Sequence, residues 1–141
     1  MITFIVPGPP VGKGRPKFFR RGNFTGTYTP EKTTNYDSLV KTAYRLIHCG
    51  NPSEEAIKVH IAAYFPIPAS APKHFKIEAS TEEKPVVKKP DADNIIKIVL
   101  DALNQIAWRD DSQVFDVQCV KLYSQNPRVV VKIEEVHEEA F

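Results

Sequence analysis

The chain has 141 residues, 42% of them apolar and 26% charged, with a formal net charge of +2. That length and mixture predict one soluble domain over residues 1–141 with a real core, and disorder is not the default for such a composition. No apolar run nears the ~20 residues of a bilayer span, and Met1–Pro7 has neither a basic stretch nor a cleavage site, so a cytoplasmic protein with no membrane attachment is expected. Cys49 and Cys119 stand far apart without metal-ligand spacing, and read as buried thiols instead of a disulfide framework or zinc site.

Residues 2 to 6 are mostly β-branched or aromatic and predict a first strand, ended by Pro7-Gly8-Pro9-Pro10. A long basic loop is expected over residues 8–29, where Lys13, Arg15, Lys17, Arg20 and Arg21 stand among five glycines, with Phe18, Phe19, Phe24 and Tyr28 interleaved. Such a segment suits a phosphate backbone and offers rings for stacking, although basic loops also serve simply as solvated surface. Met1 to His48 holds eight Lys/Arg against two Asp/Glu, while the tail from about residue 134 is acidic through Glu134, Glu135, Glu138 and Glu139. Gly8 to Gly14 is superficially similar to a phosphate-cradling P-loop. Its glycine spacing is one residue short, Gly14 stands where Ser or Thr should, and two prolines remove N–H donors, so that reading is rejected.

Thr29 followed by Pro30 predicts a capped helix from about Pro30 to Ile47, with Gly50 as its stop. Tyr36, Leu39, Val40, Ala43, Tyr44 and Ile47 form its apolar stripe, as core or subunit interface. Alternation of Ile57, Val59, Ile61, Ala63 and Phe65 with Lys58, His60 and Tyr64 predicts a half-buried strand. Residues 66–90, broken by prolines, read as an irregular excursion with a short strand near residues 85–88. Val114 to Tyr123 predicts a strand apolar on much of both faces, and Val129, Val131 and Ile133 a last strand antiparallel to it. The expected class is α+β: an approximately four-stranded mixed sheet with two main helices, in the order β-α-β-(irregular)-α-β-β. His48, His60, His74 and His137 have no nucleophile pattern around them, and Trp108 reads as a core or interface anchor.

The acidic segment is the most specific feature. From Asn94 to Ala107 a helix is predicted, with Ile95, Ile96, Val99, Leu100, Leu103 and Ile106 on one side and Asp93, Lys97, Asp101 and Asn104 on the other. Asp93 is a natural N-cap, and the pairs Asp93–Lys97 and Lys97–Asp101 suit (i, i+4) support of the helix. Asp91 has no such structural need. Two crowded carboxylates call for a counter-cation, and Mg²⁺ typically takes one or two carboxylates, waters and phosphate oxygens, which suits a metal-dependent nuclease.

Lys89-Pro90-Asp91-Ala92-Asp93-Asn94-Ile95-Ile96-Lys97, continuing through Leu100-Asp101-Ala102-Leu103-Asn104 to Trp108-Arg109-Asp110-Asp111, closely resembles the RusA family of Holliday junction resolvases. Gly8-Pro9-Pro10 through Lys17 resembles it as well, and the likeness runs from Phe4 to Val131. The resemblance implies a RusA-like homodimeric endonuclease of DNA recombination and repair, often prophage-borne, that nicks two opposing strands of four-way DNA symmetrically. It implies Mg²⁺, with Mn²⁺ as a substitute, and no organic cofactor. It places the metal-binding carboxylates on Asp91, Asp93 and Asp111 and the catalytic lysine on Lys97. Pro90 replaces a basic residue common at that position in the family, leaving Lys88 or Lys89 to join Lys13, Arg15, Lys17, Arg20 and Arg21 as DNA contacts.

A helix from Asn94 to Ala107 would be about 21 Å long, which sends Asp111 to the end far from Asp91. Three solutions stand: a shorter helix, a chain that doubles back, or a two-fold partner that supplies Asp111, the last being preferred. Two rival functions also stand: a junction-binding module that does not cleave, and a metal-dependent nuclease of flaps or other branched nucleic acid.

Overall fold

A computed structural model describes residues 1–14, 17–28 and 30–137. Thr29, Arg15, and Glu138 and Glu139 of the tail lie outside the described residues, as does the side chain of Tyr28. The elements in chain order are β1 (Ile2–Pro7), β2 (Lys17–Arg21), β3 (Phe24–Tyr28), α1 (Glu31–Ile47), β4 (Ala56–Pro66), α2 (Lys73–Ser80), α3 (Ala92–Leu103), β5 (Val114–Ser124) and β6 (Arg128–Val136). The fold is α+β, as the patterning predicted.

The main sheet has the order β1-β6-β4-β5, with β4 parallel to β5 and the other pairs antiparallel. β5 and β6 run in opposite directions as expected, but are not neighbours: residues 125–127 step across the end of β4, which lies between them. Alternation decides which side each strand buries. Ile57, Val59, Ile61, Ala63 and Phe65 join Phe4, Val6, Val129, Val131 and Ile133 in the core. α1 and α3 close that side with Tyr36, Val40, Tyr44, Ile95, Ile98, Val99 and Leu103, each buried large side chain contributing about 1.5–3 kcal/mol. The opposite face carries an apolar row across all four strands, Ile5–Val130–Ala62–Val120, in which Ile5 and Val120 are exposed.

Three segments depart from expectation. The basic loop contains a β-hairpin, β2–β3, whose strand β2 is exposed at every position. It was invisible to periodicity because a ribbon that buries neither face has no apolar alternation. The proline-rich excursion contains α2, which starts directly after Pro72 and buries only Ala79. Its C-terminal part makes the expected strand-like contact as a single bridge, Pro85 to Leu122, flanked by Val86 N–H donating to the Lys121 carbonyl. Finally, Glu134 and Glu135 are not frayed tail but the last turns of the β6 pleat, opposite Lys58 and Ile57.

No helix among the described residues is long and apolar enough to cross a membrane. Of the two thiols, Cys119 is half-buried, but Cys49 is exposed, contrary to expectation. Trp108 is fully buried, a core anchor.

Candidate active site

α3 is shorter than predicted. It spans 12 residues, about 18 Å, because Asn104 leaves helical geometry and Gln105 takes a φ of +67°. Its buried side is centred on Ile95, Ile98, Val99, Ala102 and Leu103, with Ile96 and Leu100 only half-buried. The stripe is thereby turned by about one residue from the expected one, which leaves Asp93, Lys97 and Asp101 together on the exposed side.

The N-cap is Asp91, not Asp93, which lies within the first turn. Pro90, joined to Lys89 by a cis peptide bond, holds the entry, and the Asp91 carbonyl accepts from Asn94 and Ile95 N–H at 3.1 Å. The Asp91 side chain makes no capping hydrogen bond. A residue in the position where a carboxylate normally binds its own helix thus leaves that group turned to solvent. Both carboxylates sit at the positive end of the helix dipole, which favours anions there.

Asp93 pairs with Lys97 at 3.7 Å, with the two side chains 68% and 61% exposed. So exposed a pair contributes at most about 1 kcal/mol to stability, and both groups remain accessible to a ligand. One further turn along, Asp101 is ion-paired with Lys13. The loop bearing Lys13 is docked along α3: Lys13 N–H donates to the Asn94 carbonyl at 3.0 Å, and Gly14 N–H to the Thr33 hydroxyl at 2.9 Å. Gly12 is required for this docking, because a Cβ there would lie 2.7 Å from Pro90 Cβ and 3.1 Å from Asn94 Cβ.

Two adjoining open hollows result. One, of about 510 Å³, is lined by Lys13, Asp91, Asp93, Asn94, Lys97 and Asp101. The other, of about 600 Å³, continues past Asp91 to Lys32 and Lys89. Carboxylates at one helix end, rimmed by four lysines, form a cleft suited to a cation and a phosphate chain together. Lys13 and Lys89 were anticipated from sequence; Asp101, Asn94 and Lys32 were not. Asp101 stands at the (i, i+4) distance from Lys97, so its face was legible, but its tie to Lys13, 88 residues away in sequence, was not.

The acidic pair downstream separates into two roles. Asp110 caps the short 3₁₀ turn Asp111–Gln113, accepting from Ser112 N–H at 2.9 Å, and these bonds hold its carboxyl below the usual range. Gln113 completes a reciprocal capping box and ties the turn to the Ser53 and Glu55 carbonyls at 2.8 and 2.9 Å. The spacing Asp-x-x-Gln is a recognisable capping signature that the sequence reading passed over. Asp111, half-buried, accepts from the Trp108 indole N–H at 2.8 Å. It lies beyond the far end of α3 and lines neither hollow. No group of three or more His, Cys, Asp or Glu side chains among the described residues is gathered to hold a metal ion.

The other expected DNA contacts divide by position. Lys17, Arg20 and Arg21 lie on the exposed hairpin, while Lys88 stands over the Tyr123 ring at 5.7 Å. The histidines form no catalytic set: His48 packs against Tyr44, and His137 pairs with Glu55 at 3.5 Å.

Comparison with known proteins bears on the whole arrangement. Residues 7–134 match the family described as "Endodeoxyribonuclease RusA". The chain is also 36% identical over 143 residues, 96% of either chain, to "Uncharacterized protein YqaN" of Bacillus subtilis (strain 168).

Proposed function

Since the chain belongs to the RusA family of endodeoxyribonucleases, we propose that it is a divalent-metal-dependent resolvase, which nicks opposing strands of four-way DNA in recombination and repair. The observation that carries this reading is the Asp91 carboxylate, at a helix N-cap yet free of capping bonds, beside Asp93 and one turn from Lys97. This donor set fits Mg²⁺ or Mn²⁺, which take one or two carboxylates and complete their shell with waters and phosphate oxygens. A cation bound there supplies charge neutralisation at the scissile phosphate and lowers the pKa of water.

The protein's own groups do the rest. Lys13, Lys32 and Lys89 line the path of a phosphate backbone across the cleft and fix its register without reading sequence. Lys97 faces the carboxylates with its ammonium exposed. It is placed to meet the negative charge that grows on the phosphate in the transition state, and to give a proton to the departing oxygen. Asp93 holds that ammonium in position until a substrate arrives.

Symmetric nicks require two such clefts. The apolar row Ile5–Val130–Ala62–Val120 is bordered by Lys58, Lys132, Asp116 and Glu134, charges of both signs on one face. Such a surface is self-complementary about a two-fold axis and suits a second copy of this chain. That pairing leaves both α3 helices on the outside, so the sharing of Asp111 between subunits is a separate proposal, supported by its position beyond the far end of α3.

The test is nicking of synthetic four-way, flap and linear duplex DNA at one stated salt concentration, by wild type and Asp91→Asn. Mg²⁺-dependent paired nicks in the junction, lost in the variant, are expected. Preferential cutting of flaps would instead assign a different branched substrate; binding without nicking would leave only a binding module.

A further inference from the structure

The β2–β3 hairpin takes no part in the cleft. It packs on no other helix or strand beyond marginal contact, yet it displays Phe18, 84% exposed, and Phe24, 64% exposed. Burial does not explain two solvent-facing rings on a ribbon with so little sheet to stabilise it. Nor does charge balance. Residues 8–30 contain five Lys/Arg and no Asp or Glu.

The register sorts the side chains. Lys17, Phe19 and Arg21 share one face with Gly26 and Phe24, while Phe18 and Arg20 share the other with Thr25 and Thr27. On the first face the Phe19 and Phe24 rings lie 6.0 Å apart. Phe19 lies over Gly26, where an added Cβ would come within 2.7 Å of the ring, so glycine gives the ring its seat. The tip is a two-residue turn in which Gly22 takes a φ of +58° and its carbonyl accepts from Arg20 Nε at 3.1 Å. The result is a short, protruding pin with aromatic surface on both faces and cations sharing each face.

We propose that this hairpin enters the branch point of junction DNA and stacks Phe18 on one side and the Phe19–Phe24 pair on the other against exposed base faces. The interior of a linear duplex has every base face covered, and opening it costs unstacking at each step. A four-way junction exposes such faces at its centre when arms part. Aromatic rings recognise any base face, whereas Lys17, Arg20 and Arg21 hold the flanking phosphates. The hairpin therefore selects branched over linear DNA without reading sequence.

The experiment measures binding of the full chain, in EDTA so that no strand is cut, to a four-way junction carrying 2-aminopurine at the branch point and to a linear duplex of the same sequence. Phe18→Ala and Phe24→Ala are each expected to weaken junction binding about tenfold while duplex binding stays within about twofold. They should also abolish most of the 2-aminopurine fluorescence change, and Phe24→Trp should restore it. Arg21→Ala should weaken both substrates and reduce the salt slope by about one. Melting temperatures should match wild type, since neither ring is part of the core. Equal losses on junction and duplex, or junction affinity unchanged in both alanine variants, would overturn the inference. It rests on the reading of the chain as a junction nuclease, and the two failures look different. A wild type that does not prefer junctions removes both, whereas a selective wild type matched by its alanine variants removes only the hairpin's role.

Discussion

Gly12→Ala probes whether the cleft is built by the clamp of the basic loop against α3. The new methyl would meet Pro90 Cβ at 2.7 Å and Asn94 Cβ at 3.1 Å, and both carbons are fixed to the backbone, so neither can rotate aside. Overpacking of this kind costs typically ~1–3 kcal/mol. If the loop instead lifts, it forfeits the 3.0 Å bond from Lys13 N–H to the Asn94 carbonyl, worth about 1 kcal/mol, and withdraws Lys13 from Asp101. Two outcomes fit the clamp. Strain borne by the whole domain should lower Tm by about 4–8 °C for a penalty of ~2 kcal/mol, whereas local lifting should keep Tm and reduce junction nicking several-fold. Gly8→Ala is the control, since Gly8 has a φ of +91° but open space around it. It should cost about 1 kcal/mol through backbone strain alone and spare nicking. Thermal melts beside a nicking assay at saturating Mg²⁺ decide the matter, and a Gly12→Ala chain unchanged in both would refute the clamp.

Lys97→Ala should lose cleavage by about 10²-fold or more while junction binding in EDTA changes less than fivefold, because the ammonium acts on transition-state charge; intact nicking would remove Lys97 from catalysis. Mixing Asp91→Asn with Asp111→Asn subunits should restore one working centre per dimer if Asp111 acts across the two-fold axis, and Val120→Glu should yield monomers by sedimentation. Failure of the mixture to nick above either parent would return Asp111 to its own subunit or to a structural role beside Trp108. Burial pushes the Cys119 thiol up to about 11 from 9.0, with Lys121 opposing, and the unfolded chain therefore loses this proton at lower pH than the folded one. The corresponding stability is intact below pH 9 and lost as pH rises towards 11. Iodoacetamide at pH 8 should modify exposed Cys49 and spare Cys119 until urea is added; rapid labelling of Cys119 in the folded chain would contradict its burial.

Legibility followed burial. α1, β4 and β6 were readable because each buries one side and repeats apolar residues at its own period, β5 showed instead as a run apolar on both faces although only Tyr123 and Ser124 are buried in it, and α3 was read to within a few residues at its ends. The hairpin and α2 were not, since one buries nothing and the other buries little more than Ala79. At the site, the spacing of Asp91, Asp93 and Lys97 showed that they share one end of a helix, but the identity of the cap was not visible. Either aspartate can cap, and the choice fell to the backbone, which enters the helix at Ala92 directly after Pro90-Asp91. Asp110 and Asp111 looked like one acidic pair because adjacency in sequence conceals opposite duties: one binds its own turn, the other a buried indole. The insertion of β4 between β5 and β6, and the approach of Lys13 to Asp101, are long-range facts that no local pattern encodes.

The pairing of β1 with β6 sets when the protein can first exist as a folded unit. Ile2 lies opposite Ile133, so β1 waits for β6, and β4 also lacks its antiparallel neighbour until residues 128–136 have emerged. Contacts so distant in sequence slow folding. They also mean that a nascent chain, or a fragment cut short before Arg128, carries the acidic helix on an unfinished sheet. For a member of an endodeoxyribonuclease family, that topology withholds a firm platform for cutting until β6 has been made.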